Sequence, residues 1–169
     1  MKMEPREIGH LPLKVIRRRI ALPSKERMKE KPVVIIECVE DIPCDPCVES
    51  CKLEAISKDD LTSLPRVDYE ECSGCGVCVA ACPGLAIFVV DGSREDKAVV
   101  YVPHEMFPVP KKGDRVDAVD RSGRKIGIAE IVKVRKPKRG TAVLEVLVEQ
   151  DLAMEVRSIG ISEGSDGER

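Results

Sequence analysis

The sequence predicts an α+β protein made of two small units, a cysteine-rich repeat and then a small all-β, barrel-like module. Three observations predict it. All eight cysteines lie between positions 38 and 82. That stretch repeats itself at an offset of 31 residues. Residues 103–161 then hold short runs rich in Val and Ile, separated by turn residues.

A chain of 169 residues has room for one ordinary domain or two small ones. It has no tryptophan and only two tyrosines and two phenylalanines. Its core must therefore come from Val, Ile, Leu and Ala, and small units of that kind gain from a metal or disulfide staple. The apolar stretch at residues 85–90 falls far short of the roughly 20 residues of a membrane helix. The basic run Arg17, Arg18 and Arg19 is followed by no apolar leader or cleavage pattern. No membrane insertion and a soluble, cytoplasmic protein are expected. In a reducing compartment so many cysteines point to metal ligation.

Charge and proline divide the chain into four parts. Residues 1–31 carry ten basic and four acidic side chains and read as a basic N-terminal arm laid on another surface. Residues 32–102 hold every cysteine and fourteen acidic side chains against five basic ones. Pro103, Pro108 and Pro110 mark a linker, because each lacks an amide donor and restricts its predecessor. Residues 103–161 form the β module, with strands expected at 115–119, 125–134 and 142–148 and a last one within 154–159. Ser122-Gly123 and Arg139-Gly140 supply turns. Residues 162–169 read as a disordered tail.

The chemistry lies in the repeat. Cys44, Cys47 and Cys51 map onto Cys75, Cys78 and Cys82, and Ala55-Ile56 onto Ala86-Ile87. The second copy reads Cys72-x2-Cys75-x2-Cys78-x3-Cys82-Pro83, with Gly74 and Gly76 in the gaps. Closely spaced thiolates can wrap one corner of an iron–sulfur cluster, and glycines let backbone amides approach its sulfurs. Zinc sites favour paired C-x2-C units across a longer loop, disulfides need an oxidising compartment, and a thioredoxin-type pair explains two cysteines of eight.

Residues 32–92 resemble the bacterial-type two-cluster ferredoxins. The resemblance implies a pseudo-twofold β-α-β repeat holding two 4Fe-4S clusters, with the fourth cysteine of each run ligating the other cluster. Carried onto this chain, one cluster takes Cys72, Cys75, Cys78 and Cys51. The other takes Cys44, Cys47, Cys82 and one further ligand. The repeat places Asp41 at that position, with Cys38 three residues earlier. Thiolate is the softer and better matched donor, so Cys38 is the expected ligand, with Asp41 or a three-iron cluster as the alternative. Lys52 stands where Pro83 stands in the second run.

The stretch from Val33 through Cys38 to Cys47 also resembles ferredoxin-like small subunits of multisubunit flavoprotein dehydrogenases. This implies flavin-containing dehydrogenase subunits as partners. The expected role is a non-catalytic electron relay in a flavin-dependent oxidoreductase acting on amino acids or similar small substrates. Fourteen carboxylates around the cysteines favour a low reduction potential. A freely diffusing ferredoxin with an added β domain is the alternative. A nucleic-acid module with structural clusters is the third reading, and the scarcity of aromatic side chains for base stacking argues against it. His10 and His104 stand alone in loop-like sequence and read as ordinary packing or surface residues.

Overall fold

The computed structural model describes residues 9–39, 41–137 and 141–160. The tail assigned to 162–169, the start of the basic arm and the Arg139-Gly140 turn lie outside the described residues.

Two short helices come first, α1 (Leu13–Arg19) and α2 (Lys25–Glu30). Ser24 caps α2, its hydroxyl oxygen accepting from the Arg27 amide at 3.0 Å. The helix lies on the cysteine-rich unit of the same chain. The Gly92 amide donates to the Met28 carbonyl at 2.9 Å, and the Met28 side chain packs against both core clusters.

The cysteine-rich segment runs β1 (Val33–Ile36), α3 (Pro46–Glu49), β2 (Ile56–Ser57), β3 (Arg66–Val67), α4 (Val77–Ala81) and β4 (Ile87–Asp91). The outer strands pair antiparallel, from Val33 opposite Val90 to Ile36 opposite Ile87. The inner strands pair Ile56 with Val67. With outer on outer and inner on inner, the two halves close on each other, and α3 packs against α4.

The strands that follow extend the same sheet: β5 (Lys97–His104), β6 (Arg115–Val119), β7 (Lys125–Arg135), β8 (Ala142–Glu149) and β9 (Ser158–Gly160). The order is β1-β4-β5-β8-β7-β6-β9, and each neighbouring pair is antiparallel. The sheet curls, so β9 contacts β5 although three strands separate them in that order. Its two ends are tied by charge. Arg157, just before β9, donates from Nε to Glu37 Oε1 at 2.8 Å, and Arg121 grips both oxygens of Glu37 at 2.6 and 2.9 Å.

Period-two alternation gives the central strands two buried faces. In β5, Ala98, Val100 and Val102 enter the core inside the curled sheet, whereas Val99 and Tyr101 enter a second core. That second core also contains Cys72, Cys78 and Val79. The sheet thus forms the floor beneath the cysteine loops.

Three expectations change. Pro103 lies inside β5, opposite Val143, and does not belong to a linker. The β4 register ends at Tyr101, so at Pro103 only β8 pairs with β5, and a missing donor is tolerated on such an open edge. His104 is buried at the end of that strand and is not in a loop. Residues 152–156 wind into turns, with the Glu155 and Val156 amides donating to the Leu152 carbonyl, so the last strand is limited to Ser158–Gly160. The strands expected at 115–119, 125–134 and 142–148 lie within one residue of those observed. Among the described residues no helix is long and apolar enough to cross a membrane.

Candidate metal centre

The eight cysteines gather around two hollows. Cys51, Cys72, Cys75 and Cys78 line one, with Gly74 and Gly76. Cys38, Cys44, Cys47 and Cys82 line the other, with Ile36 and Ile87. Including the parts open to solvent, they enclose about 850 and 390 Å³ respectively. Asp41 is exposed and is not among the residues lining the second of these.

This grouping crosses the two sequence runs. Cys51 ends the first run but faces the loop of the second, and Cys82 ends the second run but faces the loop of the first. The exchange follows from the packing of α3 against α4, which carries the cysteine after each helix toward the opposite half. The electrostatics repeat the grouping. Burial pushes the Cys78 thiol up to about 12, and the nearby Cys75, Cys72 and Cys51 add to the rise. Burial likewise raises Cys47, with Cys82 and Cys44 contributing. Such thiols stay protonated until a metal supplies compensating charge.

Local backbone shape builds the loop around the first hollow described. Gly74 and Gly76 have φ of +65° and +79°, in the left-handed region that disfavours a Cβ. The Gly74 amide donates to Cys72 Sγ at 3.4 Å. A Cβ on Gly74 would stand 2.4 Å from the backbone carbon of Pro32. Gly74→Ala is therefore expected to lower the iron bound in this hollow and to destabilise the fold by at least about 1–2 kcal/mol. Iron analysis and a denaturation midpoint check it, and an alanine variant with wild-type iron and midpoint would contradict it.

Side chains from outside the cysteine loops hold their carbonyls. Arg27 Nη2 donates to Cys72 O at 2.7 Å, Arg135 Nη1 to Cys75 O at 2.6 Å, and Lys58 Nζ to Cys44 O at 2.5 Å. Thr141 N donates to Ala80 O at 3.1 Å. Arg27 and Arg135 come from α2 and β7, so both flanking segments reach the loops. These grips leave no mark in the sequence, since an arginine that binds a carbonyl looks like any surface cation.

Among the described residues no three Cys, His, Asp or Glu side chains converge as the ligands of one ion would. A cubane differs in its needs, because each thiolate binds a different iron and the sulfurs stand apart by the width of the cluster. Four cysteines spread around one hollow, with a glycine amide already donating to sulfur, fit that group.

Residues 65–88 match the model of the 4Fe-4S binding domain, a span that contains Cys72, Cys75, Cys78 and Cys82. That span of the chain thus matches an iron–sulfur-binding domain. The chain is 47% identical over 47 residues to an aliphatic sulfonate oxidoreductase, polyferredoxin-like subunit, of Pyrococcus furiosus, covering 28% of this chain and 27% of that one. It is 40% identical over 68 residues to an uncharacterized ferredoxin of Methanocaldococcus jannaschii, covering 39% and 42%. It is 39% identical over 46 residues to the pyruvate synthase subunit PorD of Methanothermobacter marburgensis, covering 27% and 51%. The chain thus spans between about a quarter and a half of the length of these curated relatives. No solved structure matches it significantly.

Proposed function

We propose that the chain holds two 4Fe-4S clusters and relays single electrons as a subunit of a flavin-dependent oxidoreductase complex. One cluster is bound by Cys72, Cys75, Cys78 and Cys51, the other by Cys38, Cys44, Cys47 and Cys82. The observation that carries this reading is the sorting of eight cysteines into two hollows of four, each drawing on both runs. The repeat is then of the two-cluster ferredoxin type, and the added strands are its continuation. When bound, such clusters exchange one electron each with little change in shape.

The chain's own residues supply enclosure and orientation. Ile36, Ile87 and the prolines Pro46, Pro65 and Pro83 exclude water from one hollow. The flanking arginines fix the loops of the other. A role as a fixed subunit draws on two further points. Two of the relatives are by name subunits of larger oxidoreductase or synthase assemblies. Met106 and Phe107, 57% and 89% exposed, project from the loop after β5, and such apolar side chains anchor interfaces.

Anaerobic purification from the native cell tests both parts. About eight irons per chain are expected, with co-eluting chains that carry flavin. About four irons would remove the second cluster. Elution as a lone chain would replace the relay subunit by a diffusing carrier, and partners without flavin would replace the dehydrogenase.

A further inference from the structure

Buried charges in this protein come with counter-charges, with one exception among the described residues. Glu37 and Arg157 face each other, and Glu145 faces Arg135 at 2.5 Å. Arg27 is only 5% exposed, yet its partners are main-chain carbonyl oxygens: Cys72 and Tyr69 at 2.7 Å, Lys31 at 2.8 Å and Pro32 at 3.5 Å. No carboxylate of the described residues forms an ion pair with it. Carbonyls satisfy the N–H donors but bring no net charge. A guanidinium buried without a counter-charge is costly to maintain.

The guanidinium sits directly behind the Cys72 peptide, and Cys72 lines the hollow. Four thiolates outweigh the positive charge of a cubane core in either oxidation state, so the loaded hollow is anionic, and more so after reduction. We infer that Arg27 is the built-in counter-charge of this hollow and raises the reduction potential of the cluster held there. The inference rests on the two-cluster reading above. A fixed cation in a poorly solvated place favours the more negative, reduced state. It therefore opposes the pull of the acidic segment at this one site. Its grip also polarises the Cys72–Ser73 peptide, which strengthens the Ser73 amide as a donor, and Ser73 lines the hollow.

Arg135 is the internal control. It holds Cys75 O in the same manner, but Glu145 neutralises it and its side chain is 34% exposed. Lys58 at the other hollow is partly solvated, where water screens its charge.

The test is an EPR-monitored redox titration of the full chain, purified anaerobically, alongside Arg27→Gln, Arg27→Lys and Arg135→Gln. Arg27→Gln is expected to lower one of two one-electron steps and leave the other in place. The reduced-to-oxidised ratio of that centre should fall about tenfold at fixed potential, equivalent to about 59 mV. Arg27→Lys should recover most of the shift, and Arg135→Gln, whose charge Glu145 already neutralises, should shift that step by clearly less than Arg27→Gln does. Loss of iron in Arg27→Gln with retention in Arg27→Lys would also support the inference, because lysine restores charge without the forked grip. Unmoved steps in a fully loaded Arg27→Gln would overturn it. So would an equal shift in Arg135→Gln, or equal iron loss in both Arg27 variants, which would mark Arg27 as a scaffold only. The iron content of the unmodified chain tests the two-cluster reading separately.

Discussion

Replacing Cys82 by serine is expected to give the same iron loss and the same altered EPR signal as replacing Cys47. It should differ from the result of replacing Cys78, although Cys82 and Cys78 lie within one turn of helix α4 and its end. Cys82 and Cys47 line one hollow, while Cys78 and Cys51 line the other. Each single replacement should remove about four of about eight irons, or leave a cluster with a weakened oxygen ligand. Cys51→Ser should then match Cys78→Ser. Variants that sort by sequence run instead of by hollow would refute the exchanged arrangement. Asp41→Ala serves as the companion measurement: full iron is expected, because Asp41 is exposed and Cys38 lines the hollow.

The second large effect concerns stability. Glu37→Gln is expected to destabilise the fold by about 3–5 kcal/mol, a large share of the ~5–15 kcal/mol typical of a domain. Glu37 is 7% exposed and receives hydrogen bonds from Arg121 and Arg157, which are 7% and 4% exposed at their side chains. Removing its charge leaves two buried guanidinium groups with Glu155 as the remaining carboxylate partner, 45% exposed and 3.1 Å from Arg121. Burial already pushes Arg157 down to about 10, so it stays charged at neutral pH and must be compensated. Its guanidinium also lies 4.8 Å from the centre of the Phe88 ring, which carries the disturbance into the core. Chemical denaturation reads the loss. The exposed Arg66–Asp59 pair is the contrast, and its removal should leave the midpoint unchanged. Comparable losses at both places would show that burial does not govern these pairs.

Much of this organisation is legible in the residues themselves. Spacing alone picks out the two cysteine runs, because a C-x2-C-x2-C run and its 31-residue echo are local features. The exchange of their last cysteines is implied by the family resemblance and not by spacing. The strands from Arg115 onward announce themselves by Val and Ile alternation and by the Asp120–Arg124 turn, where Gly123 takes a φ of +82°. The division at Pro103 misleads because proline's cost depends on which neighbour a strand has at that point, and the sequence does not carry that neighbour. The basic composition of the arm suggests a segment laid on another surface. In the described part, α2 rests on the cysteine-rich unit through Arg27, whose contacts with Tyr69 and Cys72 span 42 and 45 residues. Long-range grips of this kind leave no periodic trace. The same holds for Glu37, which stands beside Cys38 in a charged sequence and could equally have been a solvated carboxylate.

The tie between Glu37 and Arg157 spans 120 residues. Ribosomes add about 5–20 residues per second, so roughly 6–24 s separate the synthesis of the two partners. Throughout that interval Cys38, the neighbour of Glu37, is already made while the clasp that fixes its wall is not. The other hollow waits less long, since Arg27 precedes Cys72 by 45 residues and Arg135, which holds Cys75 O, follows it by 60. A nascent chain therefore presents its two sets of thiols to iron donors and to oxygen on unequal schedules. The Cys38 set is exposed the longer, and oxidative damage during biogenesis should concentrate there.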